Sequence, residues 1–415
     1  MSRTVHLALG PHDAAVRTSV GGVLVHEGRI AYRSSPWGLS RWIDAEDGGA
    51  YVVGSGALAG AADLLGTVTG PDDLLPTTVL VDPGHPVEAD VVVAPRPGTL
   101  LAGHQLGFAA GPWARHRGDG VTVFARRTLP DDVTPLLGES RRALDWMLEW
   151  FGDPAPWGTD YAQVLVPEAP WLAMEHPGCV LLSERLLTTT ADRRVAVVAH
   201  EAAHQWLGNL VPPRTWADLG VFEGLAELLG QLACRALLGT DADRYLEHRR
   251  RSAPLADVPG VDVRTLAATA GLTEVAGPIQ HAVLFHRVRT DLGPRVFQRR
   301  IRSLVRRRTS VPTSVDDVWA ALGVEPRQPT RVRLPGPPGA RRGARPGEWT
   351  GGLRALADVD PATAVVEARR AFRGAGGRRV LEALDALADP SLDPAVRVGL
   401  AAELAIGTVQ RNFPE

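Results

Sequence analysis

Lysine is absent from this sequence, and all 45 basic side chains are arginine. With abundant alanine, 44 glycines and 33 prolines, this suggests a GC-rich bacterial coding sequence rather than a chemical requirement. The run QRRIRSLVRRR at 298–308 is therefore read as a solvated helix face in preference to a dock for an acidic partner. Cysteine is nearly absent too. Cys179 and Cys234 are too few for a disulfide framework, neither sits in a CxxC pair, and both read as core thiols. No stretch reaches the roughly 18 uninterrupted apolar residues of a membrane span, and the opening MSRTVHLALGPHDAAVRTSVGG lacks the apolar run of a signal peptide. A soluble, cytoplasmic protein is expected. A net charge of −2 excludes a global pull toward nucleic acid or membrane, so any partner must be recognised by local features.

A chain of 415 residues exceeds one ordinary core, and two or three domains are expected. Short apolar runs (VHLAL, GGVLVHEGRIAY, AYVVG, TTVLV, DVVVA, VTVFA), broken by Gly, Pro and Asp, make residues 1–127 a β-rich N-terminal domain. Within it, VVGSGALAGAADLLG imitates a nucleotide loop, but Ala59 stands where the last glycine belongs, and an ordinary turn is the better reading. From 128 the pattern turns helical: DDVTPLLGESRRALDWMLEWFG carries apolar residues at helical spacing, and strands QVLVP and GCVLLS follow. A helix capped at Thr190, with Asp192 in its first turn, is expected to end at Gly208. Others are expected from Asp218 to Gly239 and over 242–250, 276–292 and 294–307. Residues 326–352, dense in Pro, Gly and Arg, read as a linker, and 353–415 as a small helical C-terminal unit with caps at Asp360 and Asp393.

The chemistry concentrates in VVAHEAAHQWLGNL, residues 197–210. Helix positions four apart share a face, so His200 and His204 can hold one zinc ion through their ring nitrogens. Catalytic zinc keeps a position open for water, and Glu201 is placed to take that water's proton as general base. Alone, H-E-x-x-H can arise from the composition of an Ala-rich helix. Here Glu223 follows His204 by nineteen residues on the next expected helix, where a turn between antiparallel helices brings its carboxylate to the third ligand position. Glu227 lies one turn further on the same face. It reads either as a carboxylate that orients a ligand histidine or as a solvated helix residue.

HEAAHQWLGNL followed by WADLGVFEGLAELL resembles the gluzincin aminopeptidases of the alanyl aminopeptidase and leukotriene hydrolase type. The resemblance implies a multidomain α+β protein whose thermolysin-like, mainly α-helical catalytic domain spans 128–325. It implies His200, His204 and Glu223 as ligands of one zinc ion per chain, with Glu201 as general base. Upstream, EAPWLAMEHPGCVLL resembles the family's G-x-M-E-N-P-G exopeptidase signature. Ala173, Met174 and Glu175 are then expected at the substrate, with Glu175 holding the free α-amine. A charge-assisted contact there would fix the scissile carbonyl over the metal. The resemblance covers about 120–325. The N-terminal part is shorter than the family's usual β-saddle, and the helical tail is smaller than its usual C-terminal domain.

The pattern breaks on the substrate side. In the family a tyrosine on a later helix donates to the oxyanion, and in GPIQHAVLFH the matching position is Pro278. The four tyrosines, Tyr32, Tyr51, Tyr161 and Tyr245, all lie outside that segment. Losing one such donor costs a factor of about 100 to 1,000. His281 and His286 are candidate replacements, each set against an ordinary helix-surface or core role, and His281 is preferred. His176 replaces the signature's asparagine and Phe222 the residue before Glu223, and both are expected around the substrate. Three readings follow: an aminopeptidase acting on a peptide or small amino-acid-derived substrate, a zinc enzyme acting on a non-standard amide or ester in a biosynthetic pathway, and a non-catalytic zinc-stabilised binding protein. None involves nucleic acid or membrane, and the oligomeric state stays open.

Overall fold

In the first strand, RTVHLAL, every second residue is apolar, and Val5, Leu7 and Leu9 are buried while His6 faces out. The structure is a computed structural model that describes residues 1–32, 38–46, 48–56, 64–65, 72–82, 91–129, 131–152, 156, 161–167, 169, 171–215, 218–241 and 277–324. The helix expected at 242–250, the linker at 326–352 and the helical unit at 353–415 lie outside the described residues, as does most of the glycine-rich segment.

Strands β1 (Arg3–Leu9), β2 (Asp13–Val20), β3 (Val23–Ala31), β4 (Gly38–Ile43), β5 (Ala50–Ser55), β6 (Leu75–Asp82), β7 (Val91–Val93), β8 (Thr99–Leu101) and β9 (Gly107–Gly111) form two sheets. Their orders are β3-β2-β1-β6-β8 and β4-β5-β9-β7. All pairings in them are antiparallel except that of β1 with β6. A third sheet, in the order β10-β11-β12-β14-β13, contains β10 (Ala114–Gly118), β11 (Val121–Ala125), β12 (Tyr161–Val166), β13 (Ala173–Met174) and β14 (Val180–Ser183). β10 and β11 lie before residue 127, so this sheet runs across the expected domain boundary.

The core clusters give the layering. Val5, Leu7 and Val16 of the first sheet pack with Leu39, Val52 and Phe108 of the second. Tyr51, Val53 and Ala109 of the second pack with Phe124, Val164 and Leu181 of the third. The other face of the third sheet, with Val123, Leu165 and Leu182, meets the helices. The inner sheets are thus covered on both faces, which is why their strands read as continuous apolar runs.

Helices α1 (Thr134–Phe151), α2 (Ala191–His204), α3 (Leu219–Leu238), α4 (Gly277–Leu292), α5 (Pro294–Arg308) and α6 (Val315–Leu322) complete the described chain. The Arg194 guanidinium on α2 grips Glu139 on α1 with both carboxylate oxygens, at 2.6 and 2.8 Å. Asp218, before α3, accepts from Thr215 at 2.7 Å and from the Val315 N–H that opens α6 at 2.8 Å, so the start of α3 is pinned to α6. The arginine run on α5 is only partly solvated. Arg302 donates to the carbonyls of Glu149 and Trp150 at the C-terminus of α1, where a cation is favourable. No described helix is long and apolar enough to cross a membrane.

The helix expected to run to Gly208 ends at His204. Thr190 occupies the cap position, but its hydroxyl makes no capping bond. Beyond His204 the turn widens: Asn209, Leu210 and Val211 donate their N–H groups five residues back, to His204, Gln205 and Trp206. Gly208, at φ +105°, folds back so that its own N–H reaches the Val211 carbonyl. The physical reason for the wide turn lies in what it releases, the Leu207 carbonyl, which the centre uses.

Candidate metal centre and its substrate side

His200 and His204 project from the C-terminal half of α2 and Glu223 from the second turn of α3. Their ligand atoms converge, one from each residue, all within 4.8 Å of one another. His200 Nε2 lies 2.9 Å from His204 Nε2 and 3.5 Å from a Glu223 oxygen, and His204 Nε2 lies 3.4 Å from the other oxygen. The helices can come this close because glycine stands where they touch. A Cβ on Gly230 of α3 would meet the Ala196 carbonyl oxygen at 2.8 Å and His200 Cβ at 3.5 Å, and one on Gly224 would meet His281 Cβ of α4 at 2.3 Å.

The outer ring nitrogens are engaged elsewhere. His204 Nδ1 is 2.9 Å from the freed Leu207 carbonyl, and His200 Nδ1 is 3.6 Å from Glu227 Oε2. The Glu227 carboxylate also accepts from Gln231 Nε2, one turn along the same helix, at 3.4 Å. With each Nδ1 directed at an acceptor, both Nε2 atoms present lone pairs to the same point. Two lone pairs and a carboxylate at these distances repel unless a positive charge sits among them. The donor set therefore fits one divalent cation with N,N,O ligation and oriented outer nitrogens.

The local field agrees. Burial opposes charge on His204, yet the Glu223 carboxylate overrides it and raises the imidazole to about 9. His200 is raised well above its usual range, with Glu223 and Glu227 overcoming the same burial. Burial works against ionised Glu223, but the two imidazoles hold it well below the usual carboxylate range. A centre that draws protons this way draws a metal cation for the same reason.

Glu201 is buried, and none of the described residues hydrogen-bonds its Oε2. Burial, reinforced by Glu175 and Glu223 and opposed by the histidines, raises its carboxyl to about 8. A cation held at the neighbouring site would favour its ionised form, and the Oε2 that no described residue occupies could then take a proton from water.

Ala173 and Met174 form β13, which pairs with β14 and closes one edge of the third sheet. Glu175 follows at once, and burial raises its carboxyl above the ordinary range while His204 opposes the shift. Its backbone carbonyl accepts from Gln205 Nε2 at 3.2 Å and Asn209 Nδ2 at 2.6 Å, both from the wide turn after His204. Both residues stand inside HEAAHQWLGNL, yet neither belongs to the ligand and base pattern that the motif displays. Their polarity amid a buried turn was the available signal.

Residues 136–264 match the peptidase family M1 domain. Aminopeptidase M1-B of Oryza sativa subsp. japonica is 27% identical over 209 residues, which is 46% of this chain and 23% of that protein. Aminopeptidase N of Streptomyces lividans is 27% identical over 233 residues, 50% of this chain and 27% of that protein. Leukotriene A-4 hydrolase of Xenopus laevis is 31% identical over 111 residues, 26% of this chain and 18% of that protein. These matches support a divergent relationship of residues 136–264 to the gluzincin aminopeptidases, at low identity. The chain spans about a quarter of the length of the aminopeptidases it matches.

Two departures from the family pattern, expected around the substrate, turn the other way. His176 is buried with Nε2 2.9 Å from Ser55 Oγ at the end of β5, and burial lowers it to about 4, so it joins the loop to the N-terminal sheets. Phe222 is fully buried in the helical core. Pro278 stands in the first turn of α4, where a missing N–H costs little. His281, one turn on, leaves α4 against Gly224, next to Glu223, whereas His286 is half-buried further along α4. Of the tyrosines, Tyr32 donates to the Gly10 carbonyl, Tyr51 accepts from the Arg127 N–H, Tyr161 lies in the core and Tyr245 is outside the described residues.

Proposed function

We propose that this chain is a zinc-dependent aminopeptidase that removes the N-terminal residue of a peptide or small amino-acid-derived substrate. The observation that carries the reading is the convergence of His200, His204 and Glu223 within 4.8 Å, beside the buried carboxyl of Glu201. His200, His204 and Glu223 would hold the zinc ion, with Glu227 orienting His200. Bound zinc supplies Lewis acidity toward the scissile carbonyl and makes water more acidic. Glu201 takes the proton of the attacking water and returns it to the leaving amine. Glu175 holds the substrate's α-amine, which limits cleavage to one residue from the end. The open edge of β13 supports an extended substrate laid along Ala173 and Met174. His281, beside Glu223, is the proposed donor to the oxyanion in place of the family's tyrosine.

The test is a panel of short peptides run beside Glu201→Ala, with metal measured on the same samples. About one zinc per chain and release of free N-terminal residues, lost in Glu201→Ala and on chelation, is the expected result. Failure across the panel overturns the peptidase reading. A second reading is favoured by Pro278 alone: a zinc enzyme on the same scaffold that acts on a non-standard amide or ester, where the oxyanion is stabilised differently. It predicts zinc and an essential Glu201 with no turnover of plain peptides. Zinc binding with no Glu201-dependent turnover of any amide or ester leaves a zinc-stabilised binding protein.

A further inference from the structure

Asn209 sits between three parts of the molecule. Its backbone N–H donates to the His204 carbonyl at 3.1 Å, which ties it to the end of the histidine helix. Its side-chain Nδ2 donates to the Glu175 carbonyl at 2.6 Å. Its Oδ1 accepts from Gln105 Nε2 at 3.3 Å, and the same Gln105 nitrogen donates to the Gly208 carbonyl at 3.0 Å. Gln105 is buried in the N-terminal layers, and its own Oε1 accepts the Ala102 N–H at 2.8 Å. One chain of amides therefore runs from the N-terminal sheets, through the turn after His204, to the backbone of Glu175.

Both ends of Asn209 bear on geometry that an exopeptidase must hold fixed. The residue to be removed has to fit between the group that takes the α-amine and the group that takes the scissile carbonyl, so a shift of about 1 Å in that span is costly. Gln205 also donates to the Glu175 carbonyl, but at 3.2 Å, and its Oε1 lies at the limit of contact, 3.5 Å, from the Gly178 N–H. Asn209 makes the shorter bond and, among the described residues, is the one that joins that carbonyl to Gln105.

We infer that Asn209 is a positioning residue that sets the spacing between Glu175 and the metal centre, and through it the selectivity for a free α-amine. This rests on the proposed role of Glu175 as amine anchor, and the test separates the two. The probes are the amides of alanine, leucine and phenylalanine, each compared with its des-amino counterpart: propionamide, 4-methylpentanamide and 3-phenylpropionamide. Binding to the zinc-loaded protein is followed by ligand-observed NMR titration, which does not require turnover. Asn209→Ala removes both side-chain bonds. Asn209→Asp keeps the size and the acceptor for Gln105 but loses the donor to Glu175.

Wild-type protein is expected to prefer the free-amine member of each pair, and Glu175→Gln to lose that preference. Both Asn209 variants should lower the preference about tenfold, the scale of one well-placed hydrogen bond, with zinc content and melting temperature of Asn209→Asp close to wild type. Selectivity lost in Glu175→Gln but kept in both Asn209 variants overturns the inference and leaves the anchor standing. No amine preference in the wild type overturns both. Equal loss of affinity for amines and des-amino amides would make Asn209 a structural residue only, and would also overturn the inference.

Discussion

A Cβ at Gly230 would stand 2.8 Å from the carbonyl oxygen of Ala196, one turn before His200. This contact sets how near α3, with its two glutamates, can lie to α2, with its two histidines. Alanine would gain about 1 kcal/mol of helix propensity over glycine, but overpacking a tight contact costs about 1 to 3 kcal/mol. The atom in the way is backbone and cannot swing aside, so the clash should win. Gly230→Ala is expected to lower stability by about 1 kcal/mol in urea unfolding. It should also weaken zinc about tenfold in chelator competition, because the His200 Cβ moves with Ala196. Unchanged zinc affinity would detach the glycine contact from the centre.

Glu227 faces His200 Nδ1 at 3.6 Å and can orient the ring only through that nitrogen. Glu227→Gln keeps the shape and removes the charge. Loss of such an outer partner weakens metal binding about 10- to 100-fold. Zinc should therefore dissociate from the variant at lower chelator concentration, while the melting temperature of the metal-free protein barely moves. If zinc affinity matches wild type, Glu227 is an ordinary helix residue.

Asp44, at the end of β4, accepts from the Thr128 hydroxyl, the Glu46 N–H and Arg126, and Arg126 in turn holds Glu184 through two bonds. These bonds, the Thr128 hydroxyl first, hold the Asp44 carboxyl down at about 2. A carboxylate whose pKa falls on folding stabilises the folded state above its unfolded value of about 3.9, and that stability is lost as pH drops through the folded value. The metal-free protein should thus lose stability between about pH 4 and pH 2, and Asp44→Asn should lose less over the same interval. Urea midpoints across that range decide the matter: parallel curves for the two proteins would remove Asp44 from the acid response. Metal-free samples keep zinc release out of the comparison.

The helices were legible because α2 and α3 carry apolar residues at helical spacing between clear signals, Thr190 and Asp192 for one, Asp218 and Gly239 for the other. The spacing from His204 to Glu223 then brought the ligand set together. What stayed hidden was non-local. The parallel pairing of β11 with β12 crosses the expected boundary at 127 because strand pairing depends on partners far along the chain. The direction of a side chain in a loop is also set by packing, so His176 and Phe222 read as substrate residues but are buried against Ser55 and the helical core. The widening after His204 could not be foreseen from Gly208, since its cause is the need of His204 Nδ1 for the Leu207 carbonyl.

Pro278 and His281 make opposite demands on one experiment. Pro278 opens α4, in a first turn that tolerates either proline or an ordinary residue, so Pro278→Tyr should fold with little change in stability. His281 leaves the next turn of the same helix against Gly224, beside Glu223. If His281 carries the oxyanion role, His281→Ala should lower kcat about 100-fold with KM nearly unchanged, because the interaction exists only in the transition state. Pro278→Tyr in that background should then restore part of the loss, whereas in the wild type it should add little. The opposite pattern, a large gain from Pro278→Tyr alone and no loss in His281→Ala, would mean that the oxyanion lacks a donor from α4 and that the wild-type enzyme works without one. The two single variants and the double variant, assayed on one substrate at saturating zinc, form a cycle whose coupling term distinguishes these cases.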